Sequence, residues 1–204
     1  MKKVILIGGG GHAESILEMV DDLNIFVGYS DNDFKSGLPL KYLGDDSYVL
    51  KNYSPTDYKI HHALVYTKNA NLSLRSKLIS LFKNYESHSF VSERAFVSKN
   101  SIISNGCCIF HNAIINKAGI GENCVINNGV IVEHNVVLGD NVFLGSSCVI
   151  CGNSIIGNNV FIGAGAVIRD SIIVCDNVVI AMGAVVTCDI SVPGVYVGIP
   201  AKLM

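Results

Sequence analysis

Residues 120–155 divide into hexads as IGENCV-INNGVI-VEHNVV-LGDNVF-LGSSCV-ICGNSI, and this stretch decides the fold. Each hexad opens on an aliphatic residue: Ile120, Ile126, Val132, Leu138, Leu144 and Ile150. Stepping on by six reaches Ile156, Ile162, Ile168, Val174, Ile180, Val186 and Val192. Stepping back reaches Ile114, Cys108, Ile102, Phe96 and Phe90. Only 50% of the chain is hydrophobic, so an unbroken apolar series of this length is not accidental. The position four residues on is small or β-branched at Ala118, Cys124, Val130, Val136, Val142, Cys148, Val160, Ala166, Val178 and Ala184. A helix would scatter residues six apart around its surface, and strand alternation alone has a period of two. Short parallel strands with one corner per hexad satisfy the spacing, three faces making a coil of about 18 residues. Gly121, Asn127, Asn128, Gly139, Gly145, Gly157 and Gly163 fall at the expected corners, where a left-handed backbone costs them least. A stack of such coils buries its axis against its own neighbours.

The first eighty-odd residues follow another rhythm. Lys2–Ile7 reads as a buried strand, Gly8-Gly9-Gly10-Gly11-His12 as a turn, and Ile16, Leu17, Met19, Val20 and Leu23 as one face of a helix. A second strand is expected over Ile25–Tyr29, ending at Ser30-Asp31-Asn32-Asp33. A third is expected over Ala63–Tyr66, and a basic helix over Ser73–Lys83. Gly8, Gly10 and Ala13 fit the G-x-G-x-x-A form of a Rossmann-like βαβ unit, in which glycines let the backbone approach a phosphate. The segment is long enough for one mononucleotide-sized half. The expected division is a Rossmann-like α/β domain over 1–85 and a parallel β-helix over 86–204.

Composition narrows the partners. A net charge of −2 with 16% charged residues argues against nucleic acid, which selects a basic surface. Apolar runs such as Val4-Ile5-Leu6-Ile7 fall far short of the roughly 18 residues a membrane span needs. Met1-Lys2-Lys3 runs into glycines with no cleavage site, so a cytoplasmic protein is expected. The seven cysteines read as free thiols and small apolar fillers, with no second pair to make Cys148-Val149-Ile150-Cys151 a zinc ribbon.

Two histidines lie inside the repeats. His134 sits two residues after an inward apolar position, near a corner, and one coil before Gly152. It reads either as surface decoration or as a general base beside a bare backbone amide, the pair that acyl transfer to an amine or hydroxyl requires. His111 does not stack on His134 and reads as structural or a minor binding residue. A zinc site needs three converging histidines, and two that do not stack argue for no metal. His12 reads as a packing residue or as a contact to a ligand's sugar or phosphate. Asp31 and Asn32 read as ribose or base contacts, or as the turn after the second strand. His61, His62 and His88 read as surface or linker residues.

The chain resembles the bacterial nucleotide-aminosugar N-acetyltransferases grouped with the sialic-acid O-acetyltransferases. The resemblance runs through Ile5-Leu6-Ile7-Gly8-Gly9-Gly10-Gly11-His12, Ser30-Asp31-Asn32, Val130-Ile131-Val132-Glu133-His134 and the closing Gly194-Val195-Tyr196-Val197-Gly198-Ile199-Pro200-Ala201-Lys202. It implies a left-handed β-helix, a homotrimer, and acetyl-CoA-dependent acetylation of the 4-amino group of a nucleotide-linked amino-deoxysugar for surface glycan synthesis. It makes His134 the base and Gly152 the oxyanion donor. Gly10, Gly11, His12, Asp31, Asn32, Thr67 and Lys68 would hold the nucleotide-sugar, and Phe143, Ala164 and Met182 would line the acetyl-CoA. Some relatives carry an acidic residue after the histidine; here Asn135 stands in its place, so either Glu133 or another side chain substitutes or His134 is a weaker base. Acetylation of a sialic-acid or other sugar hydroxyl is the alternative acceptor chemistry, and a non-catalytic β-helix scaffold the alternative from another class.

Overall fold

The computed structural model describes residues 2–66 and 72–204. It divides the chain into two compact units, Met1–Phe90 and Val91–Met204.

The first unit is a parallel sheet of four strands: β1 (Lys3–Ile7), β2 (Phe26–Ser30), β3 (Tyr58–His62) and β4 (Glu86–Ser87), in the order β2-β1-β3-β4. Among the described residues three α-helices accompany it, α1 (Gly11–Leu17), α2 (Asp46–Asn52) and α3 (Ser73–Leu81). Ile5, Leu6 and Ile7 are fully buried because β1 is flanked on both sides, which explains its unbroken apolar run. Ile5, Ile7, Leu43, Val49, Ile60, Phe82 and Tyr85 form one core cluster. Gly8, at φ +109, turns the chain out of β1 in a conformation that costs a glycine little.

Three expectations for this unit change. The third strand is Tyr58–His62, not Ala63–Tyr66, because the run Lys59-Ile60-His61-His62 hides its burial behind polar letters. His61 and His62 are therefore interior residues, 0% and 2% exposed, rather than surface or linker groups. His61 Nδ1 meets the His88 carbonyl at 2.8 Å and its ring stands edge-on to Phe90, so His88 too is part of the packing. Helix α1 ends at Leu17, short of Leu23.

The second unit is a three-faced parallel β-helix built mostly of two-residue strands. One face stacks Ile102–Ile103, Gly119–Ile120, Val137–Leu138, Ile155–Ile156 and Ile173–Val174. The next carries Val125–Ile126, Phe143–Leu144, Phe161–Ile162 and Val178–Ile180. The third carries Ile114–Ile115, Ile131–Val132, Val149–Ile150, Val167–Ile168 and Val185–Val186. From Ile120 onward the inward positions are those of the hexad series, fully or nearly fully buried as far as Val186. The small positions four residues on are buried too, and Cys124 Sγ donates to the Gly139 carbonyl of the next coil at 3.2 Å.

Both ends break the frame. Ile120, Ile126 and Val132 pair with Ile103, Ile109 and Ile115, seventeen residues back rather than eighteen. One corner is a residue short, so Ile109 and Ile115 point inward, while Ile102, Ile114 and Phe96 are exposed. At the other end Val174 bridges Ile190, and Val192 is exposed. The apolar series survived the slip because both residues of each two-residue strand are apolar.

The corners also use glycine differently from expectation. Left-handed φ belongs to Asn123, Asn135, Asn141, Asn153, Asn159, Asn177 and a few others, not to Gly121, Gly139, Gly145, Gly157 or Gly163. Those glycines are where adjacent coils touch: a Cβ on Gly163 would stand 2.4 Å from the Met182 backbone nitrogen. Among the cysteines, Cys188 is exposed and fills no core position. No disulfide joins any of the seven cysteines, and burial pushes the Cys148 thiol up to about 12.

Candidate functional site

His134 and Gly152 do meet. The corner after Ile131–Val132 presents His134 to solvent, and the corner one coil later carries Gly152 beneath it. The Asn153 amide donates to the His134 carbonyl at 3.0 Å, locking the two corners in register. A Cβ on Gly152 would lie 2.6 Å from His134 Cε1 and 2.8 Å from Nε2, so only glycine lets the ring rest there. The Gly152 carbonyl accepts from Ser171, whereas its N–H has no acceptor among the described residues. Another corner row shows the contrast: the amides of Glu122, Asp140 and Asn158 are each capped by the side-chain oxygen of the residue one coil on. An imidazole and an uncapped amide side by side can move a proton and receive a developing negative charge.

Glu133 does not orient this ring; its carboxylate accepts from Asn116 Nδ2 at 3.3 Å. The neighbour of His134 Nδ1 is Asn135 Nδ2, at 3.4 Å. His111 Nδ1 contacts Ser92 Oγ at 2.7 Å, a structural bond between coils.

The acyl-carrier candidates separate. Ala164 and Met182 occupy equivalent corners one coil apart and are both exposed, Met182 at 80%. Phe143 is buried at 8% exposure and stacks face to face on Phe161, centroids 4.8 Å apart. It lies within a strand rather than on that corner row. The Ala164 row and the His134 corner flank opposite edges of the face carrying Val149–Ile150 and Val167–Ile168.

In the first unit, Asp31 and Asn32 line a pocket of about 170 Å³ with Ile7, Gly8, Ser30, Asp46 and Leu64. It opens beyond the carboxyl ends of β1, β2 and β3, where the chain runs from β1 outward to β2 and then returns past β1 to β3 on its other side. Open α/β sheets bind ligands at such a switch point. Asp31 Oδ2 accepts from the Gly9 amide at 2.9 Å. Partial burial works against the Asp31 carboxylate, but the Gly9 and Asp33 amides and Lys35 together hold it below the usual range. Gly9 backs onto the Tyr29 ring, while a Cβ on Gly10 or Gly11 would meet nothing within 4 Å.

Asp46 was not singled out from the sequence. It accepts from Ser30 Oγ at 2.7 Å, and burial, with the nearby Asp45 and Asp31 charges, raises its pKa. The available signal was Gly44-Asp45-Asp46, a left-handed glycine and a capping aspartate at the start of α2. His12 is enclosed near His61 and Arg75; burial first, then those charges, lowers it to about 3. Its ring is neutral there and offers a ligand no charge. Thr67 and Lys68 lie outside the described residues.

Residues 3–69 match the PglD N-terminal domain. Residues 117–152 match the bacterial transferase hexapeptide (six repeats), and 153–188 the hexapeptide repeat of succinyl-transferase. Among solved structures, PerB from Caulobacter crescentus in complex with CoA and GDP-perosamine is 25% identical, with 100% of this chain and 98% of that one covered and a TM-score of 0.87. The acetyltransferase domain of PglB from Neisseria gonorrhoeae FA1090 is 24% identical over 100% of both chains, with a TM-score of 0.86. WeeI from Acinetobacter baumannii AYE is 20% identical over 100% of both, with a TM-score of 0.66. A comparison with curated proteins returned no match.

The repeats and these structures define a left-handed parallel β-helix acyltransferase. With the match to the PglD N-terminal domain ahead of the repeats, the chain is similar in its make-up to PglD-like acetyltransferases, as its sequence motifs implied. No helix among the described residues is long and apolar enough to cross a membrane.

Proposed function

We propose that this chain transfers acetyl from acetyl-CoA to the amine of a nucleotide-linked amino-deoxysugar, with His134 as the base. The observation that carries this reading is the His134 ring resting on Gly152, whose N–H has no acceptor among the described residues. The amine nitrogen attacks the thioester carbonyl as His134 takes its proton, and the Gly152 amide receives the carbonyl oxygen's charge. Collapse breaks the C–S bond, and the imidazolium protonates the departing thiolate. The products are the amide and free CoA thiol, and His134 is regenerated without an acyl-enzyme. A direct transfer fits the cysteines, since burial raises the Cys148 and Cys151 thiols above their ordinary range.

The pocket lined by Asp31, Asn32 and Asp46 takes the nucleotide in this reading, with Gly10 and Gly11 leaving room for its phosphates. The PerB structure, solved with CoA and GDP-perosamine, supports the pairing of an acyl carrier with a nucleotide-linked amino sugar. Ala164 and Met182 receive the acyl carrier, and Phe143 contributes from the adjoining face, stacked on Phe161. Because that row and His134 flank opposite edges of one face, the complete site takes its halves from two subunits of a homotrimer. The apolar stripe Ile102, Val137, Ile155 and Ile173, exposed on the face that adjoins the His134 corner, supports such an assembly.

Thermal-shift titration tests the reading, with acetyl-CoA and a panel of UDP-, GDP-, dTDP- and CMP-linked sugars. Stabilisation by acetyl-CoA and by one nucleotide-amino sugar is expected. No response to acetyl-CoA would favour a scaffold, and selective response to CMP-sialic acid or free sialic acid would favour hydroxyl acetylation.

A further inference from the structure

Two asparagines on successive coils form an amide pair beside the His134 ring. Asn135 Nδ2 donates to Asn153 Oδ1 at 3.1 Å and lies 3.4 Å from His134 Nδ1. Both residues hold left-handed backbone, φ 59 and 61, which sets their side chains side by side one coil apart. The same pairing recurs at Asn141 and Asn159, at 2.8 Å, on a corner row that carries no histidine.

The chemistry of the ring makes the amide orientation consequential. A neutral imidazole carries its proton on one nitrogen and accepts at the other. With an NH2 group facing Nδ1, that atom is the acceptor and Nε2 holds the proton. Such a ring cannot take a proton at Nε2. If both amides turn over, Asn135 Oδ1 faces Nδ1 and accepts from the ring and from Asn153 Nδ2 together. The proton then sits on Nδ1, and the Nε2 lone pair is open toward substrate. Nitrogen and oxygen of an amide exchange places without changing the shape of the site.

We propose that Asn153 is a positioning residue that acts through Asn135 to decide which nitrogen of His134 carries the proton. The proposal rests on His134 being the base, as argued above, and adds a residue that touches neither substrate nor reacting atoms. Asn153→Asp is the decisive variant. A carboxylate there can only accept, so it holds the Asn135 NH2 toward itself and toward Nδ1, trapping the unproductive tautomer. Asn153→Ala releases the pair without adding charge. Asn159→Asp makes the same change at the pair with no histidine.

The test combines steady-state acetyl transfer with long-range 1H–15N spectra of histidine-labelled full-length protein in alkaline buffer. The expected result is an Nδ1–H ring in the wild type, with both amides turned over as transfer requires, an Nε2–H ring in Asn153→Asp, and a mixture in Asn153→Ala. Asn153→Asp should lose roughly 10²-fold or more in kcat with little change in acceptor KM, a loss on the scale of one misplaced proton-transfer group. Asn159→Asp should leave tautomer and rate unchanged. A wild-type tautomer in Asn153→Asp, or an equal rate loss in Asn159→Asp, would overturn the proposal. Full transfer by His134→Ala would instead remove the base assignment, and the tautomer spectra would still report on Asn153 by themselves.

Discussion

His134 rests on Gly152 so closely that a methyl group on the glycine would lie 2.6 Å from the ring's Cε1. Gly152→Ala must therefore push the imidazole off its amide. Acetyl transfer should fall by about 10²-fold or more, the usual loss when a proton-transfer group or oxyanion donor is displaced. Circular dichroism should still show a folded β-helix. A variant retaining near wild-type kcat would separate the ring's position from the chemistry.

Coil contact and backbone handedness make different demands on glycine. A Cβ at Gly163 runs into the backbone of Met182 and Ala181, whereas at Gly165, φ +67, it meets nothing and only the backbone is strained. Gly163→Ala should cost about 1–3 kcal/mol, as overpacking does. Gly165→Ala should cost only about 1–2 kcal/mol, from left-handed strain. Denaturant unfolding of the two variants checks the order, and a larger loss at Gly165 would contradict it.

Acid sensitivity follows from the interior histidines. Burial is the largest cause holding His61 down to about 3 from an ordinary 6.5, with Arg75 adding to it against the His88 carbonyl bond. In that interval the unfolded chain takes up a proton that the folded chain refuses. Stability should thus be full above pH 6.5 and decline as pH falls from 6.5 toward 3. His61→Gln removes the titration, so its melting temperature should fall less steeply over the same interval. An unchanged slope would show that His61 does not stay neutral in the fold.

Thiol accessibility should sort the cysteines. Cys188 is exposed, whereas Cys107, Cys108, Cys124 and Cys148 are buried. Under native conditions a maleimide should label Cys188 first, with Cys148 silent until unfolding because its thiol is held near 12. Rapid native labelling of Cys148 would contradict its inward placement.

The β-helix was legible from Ile120 to Val186 because the repeat is one-dimensional and its inward rows differ from the corners. The slip before Ile120 was not legible, since Ile114 and Ile115 are interchangeable letters and only pairing with Val132 decides between them. The meeting of His134 with Gly152 could be counted because both lie beyond the slip. Asp46 could not, since its role depends on α2 folding back toward Ser30 across a loop without periodicity. His61 and His62 were misjudged because polar residues in a central strand break the apolar pattern that signals one.

The most direct measurement is acetyl transfer from acetyl-CoA to a nucleotide-linked 4-amino sugar by wild type and His134→Ala, in parallel with acetyl-CoA binding. Loss of about 10²-fold or more in kcat with binding retained is the predicted result, the scale of a missing general base. Transfer by His134→Ala within about threefold of wild type, well below that scale, would show that the ring over Gly152 is not the base.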